Sequence, residues 1–233
     1  MIWDQRIETL DREGMRAIQL ARLKETLARV YARVPFYRSR MDSIGMHPED
    51  VTSLDDIRKF PFTVKTDLRD NYPYGLFAEP MDNIVRIHAS SGTTGRPIVV
   101  GYTRDDLENW AECMARLVVA AGARKSDIAQ ISFGYGLFTG ALGLHYALEK
   151  IGAAVVPVSS GNTERQISLM RDFGVTVLVA TPSYAMYMAE VAEQMDAMKD
   201  IRLRVGLFGA EASTEEMRSE LQRRWGIVAT ENY

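Results

Sequence analysis

The chain predicts an α/β fold: a mostly parallel sheet flanked by helices, preceded by a β-hairpin. Two observations carry this. Beyond residue 102, helical runs alternate with short β-branched runs, the pattern of strands joined by crossover helices. Ahead of them, Ile84 to Ile87 and Ile98 to Val100 bracket a loop of glycines and hydroxyl residues, as two strands bracket a turn.

The first element is a long amphipathic helix. Trp3, Ile7, Leu10, Ala17, Leu20, Leu23, Leu27, Val30 and Val34 recur at helical spacing until Pro35 interrupts. An irregular segment with Pro48, Pro61, Pro73 and Pro80 follows, with short helices starting near Ser53 and Thr66, each trailed by acidic residues suited to a helix N-terminus. From there the pattern reads as hairpin 84–101, helix 104–121, strand 128–132, helix 139–150, strand 153–157, helix 163–173, strand 175–179, helix 182–195, strand 203–208, helix 214–225 and strand 227–231. Ser213, with Glu216 three residues on, reads as a capping box for the helix at 214. The change of pattern divides the chain into a helical and irregular segment, 1–82, packed on the same domain, and an α/β core, 83–233. Residues 227–233 read as a strand without a covering helix, so a piece of a longer protein is expected.

Composition narrows the function. At 233 residues and 46% hydrophobic content the chain can bury a substantial core. A net charge of −3 offers no basic field for nucleic acid or an anionic membrane. Neither a signal-peptide core nor an apolar span of about 20 residues is present. The single cysteine, Cys113, cannot form an internal disulfide, which fits a reducing cytoplasm. No metal site is legible, because His47, His88 and His145 are scattered and cysteine ligands are lacking. His88 within a strand and His145 within a helix read as structural, and Lys65 as solvated. Oligomeric state is not legible, and a homodimer is allowed.

Within Ser90-Ser91-Gly92-Thr93-Thr94-Gly95, glycines permit turns closed to other residues and hydroxyls add donors to exposed N–H groups, a combination that can cradle phosphates. No Gly-Lys-Ser/Thr follows, and the loop joins two strands, so this is not a Walker loop. The competing reading is an ordinary tight hairpin. Two other loops fall at carboxyl ends of strands, where open α/β sheets bind ligands. Phe133-Gly134-Tyr135-Gly136-Leu137-Phe138-Thr139-Gly140 has the wrong glycine spacing for a dinucleotide fingerprint, and its Tyr135 and Phe138 could wall an apolar slot for a ring or simply fill the interface between loop and sheet. Gly209-Ala210-Glu211 is small enough for a flat ring to approach the backbone, while Glu211 could equally be solvated.

At these residues the chain resembles the adenylate-forming superfamily, and within it the phenylacetate-CoA ligases. The likeness rests on Pro35-Phe36-Tyr37, Phe60 to Leu68, Ser90 to Tyr102, Phe133 to Gly152 and Phe208 to Glu211, with Arg96 where the superfamily often has lysine. The resemblance implies part of the large N-terminal domain of an adenylate-forming enzyme that activates an aryl acid as acyl-AMP and passes it to CoA, using ATP and Mg²⁺. Phenylacetate leads among the acids, with benzoate and other aryl acids compatible. By resemblance, Ser90, Ser91, Gly92, Thr93, Thr94 and Gly95 hold phosphates. Gly209, Ala210, Glu211, Glu231, Asn232 and Tyr233 border the nucleotide, and Tyr135, Gly136, Phe138 and Ala210 contact the acid. The catalytic lysine and ribose-binding aspartate are expected beyond Tyr233, leaving this chain alone inactive. A ligase with another acyl acceptor, or a noncatalytic binding module, remains the alternative.

Overall fold

A computed structural model describes residues 1–90, 96–137 and 139–232. By compactness the chain forms two units, Asp4–Leu107 on one side and Met1–Trp3 with the residues from Glu108 onward on the other. The division falls inside a helix, whereas the change of sequence pattern lies near residue 82.

In the first unit the expected single opening helix is two, α1 (Gln5–Glu8) and α2 (Arg12–Arg33). Aspartates cause the break. Asp4 accepts from the Arg6 and Ile7 N–H groups, and Asp11 Oδ1 accepts from Gly14 N at 2.7 Å, so each starts a helix in place of one continuous ladder. Pro35 then takes the first position of α3 (Pro35–Ser43), where its missing N–H costs nothing. The short helices appear as a 3₁₀ turn at Leu54–Lys59 and as α4 (Lys65–Asp70). Each is opened by an aspartate that reaches back: Asp56 accepts from Ser53 N at 2.8 Å and Asp67 from Val64 N at 2.8 Å. The hairpin is β1 (Arg86–Ala89) and β2 (Val99–Tyr102), antiparallel, with Arg86 opposite Tyr102 and Ala89 opposite Val99. Gly101 is required there, since a Cβ would lie 2.4 Å from the Phe77 ring.

α5 (Arg104–Ala120) leads into the second unit, where strand and helix alternate: β3 (Ile128–Ile131), α6 (Gly140–Lys150), β4 (Ala154–Val156), α7 (Thr163–Asp172), β5 (Val177–Ala180), α8 (Pro182–Gln194), β6 (Val205–Gly209), α9 (Glu215–Trp225) and β7 (Val228–Asn232). The sheet is parallel throughout, in the order β4-β3-β5-β6-β7. Alternation along β5 shows the layering. Val177 and Val179 pack with Ala115 and Val118 of α5 and Leu148 of α6, while Leu178 and Ala180 pack with Ile167, Met170, Met188 and Leu221 of α7, α8 and α9. Each fully buried Val, Leu, Ile or Met side chain among these stabilises the fold by about 1.5–3 kcal/mol. The cap of α9 is Thr214, whose hydroxyl accepts from Met217 N at 3.2 Å, not Ser213. The helix starts one residue later than the spacing suggests, so Glu216 falls at its second position and bonds the Thr214 hydroxyl.

At the amino end of the sheet Asp127 is buried among donors. Arg204 Nε and Thr176 Oγ1 lie 2.9 Å from Oδ1, Arg204 Nη2 and Arg124 N bond Oδ2, and Arg204 also donates to Gly122 O at 2.8 Å. The order of strand addition reverses beside β3: the chain moves outward from β3 to β4, then returns to add β5, β6 and β7 in turn on the other side. In parallel sheets that point, at the carboxyl ends, is where a crevice opens.

Candidate functional site

In the first unit, the hairpin presents the glycine and hydroxyl loop. Ser90 closes its neck: Ser90 N donates to Ile98 O and Ser90 Oγ accepts from Ile98 N, both at 2.9 Å. Ser91, Gly92, Thr93, Thr94 and Gly95 lie outside the described residues. Immediately after them the exposed Arg96 holds its guanidinium 5.8 Å from the Tyr72 ring centroid, a cation–π separation that retains a positive charge at the loop's end. His88 is buried in β1, edge-on to Tyr102.

In the second unit, a cavity of about 280 Å³ opens at the carboxyl ends of β5, β6 and β7. Val179, Ala180, Leu207, Gly209, Ala210 and Asn232 supply its sheet side, Trp110, Met114 and Leu117 its α5 side, and Phe133, Thr139, Gly140, Gly143 and Leu144 its α6 side. Almost every lining atom group is apolar or small. Such a volume suits one ring with a short substituent, and the few polar groups at its rim suit orientation.

Of the sequence-predicted residues, Gly209, Ala210 and Asn232 meet at this cavity. Gly209 and Asn232 face each other across β6 and β7, so closely that a Cβ on Gly209 would sit 2.2 Å from Asn232 O. Ala210 turns the chain with φ +68°, a left-handed conformation that non-glycine residues adopt at a cost of order 1–3 kcal/mol. Glu211 leaves the cavity and accepts the Ser183 N–H in the first turn of α8. Glu231 is exposed on β7. Tyr233 and Phe138 lie outside the described residues, and Gly136 is exposed.

Tyr135 is not a wall of the cavity. It tucks beside α6, with its Oη 2.9 Å from His145 Nδ1, while His145 Nε2 lies 3.1 Å from Glu149 Oε1. A carboxylate oxygen at Nε2 calls for the N–H there, so in the neutral ring Nδ1 is the acceptor and the phenol donates. Burial, with the Glu149 charge adding to it, pushes the Tyr135 phenol up to about 12. Tyr135 thereby pins the glycine-rich loop to α6.

Sequence reasoning missed Trp110, Met114, Leu117, Phe133, Gly140, Gly143 and Leu144. Trp110, Met114 and Leu117 recur at helical spacing and read as ordinary core. The available signal was the pair Gly140 and Gly143, unexpected inside a helix. Among the described residues no group of three or more His, Cys, Asp or Glu is placed to hold a metal, and no helix is long and apolar enough to cross a membrane.

A family model described as AMP-binding enzyme matches residues 25–233. A phenylacetate-coenzyme A ligase of Pseudomonas putida is 50% identical over 228 residues, 97% of this chain and 52% of that protein. One from Escherichia coli (strain K12) is 51% identical over 230 residues, with the same coverage of each. A crystal structure of an open conformation of 2-hydroxyisobutyryl-CoA ligase, in complex with 2-HIB-AMP and CoA, matches with a TM-score of 0.91 and 26% identity, over 99% of this chain and 56% of that one. The chain spans about half the length of the curated relatives it matches. With an α/β core of the same architecture and a family match that runs from α2 to its last residue, the chain belongs to the AMP-binding enzyme family.

Proposed function

We propose that this chain is the acid- and nucleotide-binding part of an ATP-dependent ligase that converts an aryl acid, phenylacetate first, into its acyl-AMP and then its CoA thioester in the cytoplasm. The observation that carries the reading is the apolar cavity of about 280 Å³ at the carboxyl ends of the strands, in a chain half identical to phenylacetate-coenzyme A ligases.

The chemistry needs charge control. In the first step a carboxylate oxygen attacks the α-phosphorus, a P–O bond to the β-phosphate breaks, and pyrophosphate leaves. In the second the CoA thiolate attacks the acyl carbon and AMP leaves. Carboxylate and triphosphate repel one another, so main-chain amides and hydroxyls of Ser90 to Gly95, with Arg96 beside them, would neutralise the phosphates without a base near the acid. Mg²⁺, bound with the nucleotide, would supply further neutralisation of the phosphates. Gly209, Ala210, Glu211, Glu231, Asn232 and Tyr233 would border adenine. Ala210 and the Tyr135 to Phe138 loop would meet the acid, and the ring would enter the cavity. Tyr135 acts here by holding its loop.

ATP–pyrophosphate exchange in the protein as its gene encodes it tests the reading. Phenylacetate should drive exchange, and Thr94→Ala with Gly95→Ala should lower it about a hundredfold while leaving acid binding intact. Wild-type protein that exchanges with no aryl acid refutes the proposed activity. Normal exchange in the double variant refutes the phosphate role of the loop.

A further inference from the structure

α6 carries Gly140 and Gly143 three residues apart on one face. Gly143, inside the helix, costs about 1 kcal/mol relative to alanine, so its presence needs a compensating reason, whereas Gly140 is the first residue of the helix, where the cost is smaller. The rings opposite supply it. A Cβ on Gly143 would lie 2.8 Å from Trp110 Cζ2 and 3.0 Å from its Cε2 and Nε1, and one on Gly140 would lie 3.0 Å from Phe133 Cε1. Both aromatic side chains therefore rest on bare helix backbone, and both line the cavity.

Three wall positions cannot retreat. Ala180, Gly209 and Ala210 are strand or turn residues with little or no side chain to move, and Gly209 already abuts the Asn232 backbone. Trp110 is the largest wall group, half-buried, and its place is set by the missing Cβ of Gly143. We infer that Trp110, seated on Gly143, is the specificity gauge of this site, sizing it for acids of one ring on a short tether and excluding longer or two-ring acids. The inference rests on the cavity holding the acid, as proposed above.

Calorimetric titration of phenylacetate, 3-phenylpropionate and 2-naphthylacetate into the gene-encoded protein tests it, with circular dichroism to confirm folding. Wild type should prefer phenylacetate. Trp110→Leu should shift the ratio of affinities toward the larger acids by about tenfold or more, the scale of one or two methylenes in an apolar pocket. Trp110→Phe should shift it the same way by less. Gly143→Ala, which drives the indole from its seat, should weaken phenylacetate about tenfold, and adding Trp110→Leu to it should restore binding, a nonadditivity expected only of groups in contact. If Gly143→Ala does not fold, the two Trp110 variants decide alone. Acid preferences unchanged in both Trp110 variants, with phenylacetate still bound by wild type, overturn the gauge and leave the proposed function standing. Wild type that binds none of the three acids overturns both.

Discussion

Replacing Arg204 by methionine isolates the buried charge at the amino end of the sheet. Asp127 is only 4% exposed, and its oxygens accept from Arg204, Thr176 and the Arg124 N–H. Burial pushes the Asp127 carboxyl up, but the hydrogen bonds from Arg204, Thr176 and the backbone outweigh it and hold the group below the usual carboxylate range. Removing one partner of a buried pair costs about 3–5 kcal/mol, because a charge is left without compensation. Arg204 is 32% exposed, so water can replace part of it, and about 2–3 kcal/mol is the expected loss. At a slope of about 2 kcal/mol per molar urea, the midpoint falls by about 1–1.5 M. Trp3, Trp110 and Trp225 all belong to the unit that contains this cluster, so tryptophan fluorescence reports its unfolding directly. The pH dependence has a definite sign. A depressed folded pKa gives stability that is present above the unfolded value of about 3.9 and is lost as pH falls through the folded value. Arg204→Met should flatten that acid-side loss. Adding Asp127→Asn should recover part of the stability, since the unpaired charge is then gone. A loss below about 0.5 kcal/mol, or a double variant whose cost is the sum of the singles, would show that the cluster is not a coupled unit.

Gly209→Ala places a Cβ 2.2 Å from the Asn232 carbonyl oxygen, a backbone atom that cannot rotate away. The β6–β7 ladder should part at that end, lowering stability by about 2–3 kcal/mol or more and raising amide exchange in β7, and unchanged exchange there would contradict the packing. Tyr135→Phe should remove the phenol that ionises last in an alkaline ultraviolet titration, near 12 against an ordinary 10.0. Because the folded pKa is raised, Tyr135 contributes stability that is full below about pH 10 and is lost as pH rises toward 12, so the variant should lose less than wild type across that window. Equal loss in both would place the shifted phenol elsewhere.

The strand and helix order was legible because its signals are local. β-branched runs and Pro35 mark the elements within a few residues, although the hairpin strands, Arg86–Ala89 and Val99–Tyr102, lie one or two residues beyond the runs Ile84 to Ile87 and Ile98 to Val100. The break between α1 and α2 was not, since apolar spacing continues through it and only the two aspartate caps divide it. The shift of the α9 cap from Ser213 to Thr214 is a choice between adjacent hydroxyls that the sequence leaves balanced. The cavity illustrates a deeper limit. Its contributors from Trp110 to Asn232 are brought together only by sheet order, and an aromatic residue on an amphipathic helix looks the same in sequence whether it faces solid core or an opening. Likewise Tyr135 sits in a loop that reads as ligand-facing, yet its hydroxyl finds His145 on the next helix.

The strand order also dictates when the crevice can come into being during synthesis. β4 can settle on β3 as soon as α6 has crossed over, but the partner on the other side of β3 is β5, made only after β4 and α7. Non-local pairing of that kind is intrinsically slow, so β3 keeps a bare flank until β5 has emerged, and because Gly209 and Asn232 also line the cavity, a ligand could stabilise the nascent protein only once β6 and β7 have joined the sheet.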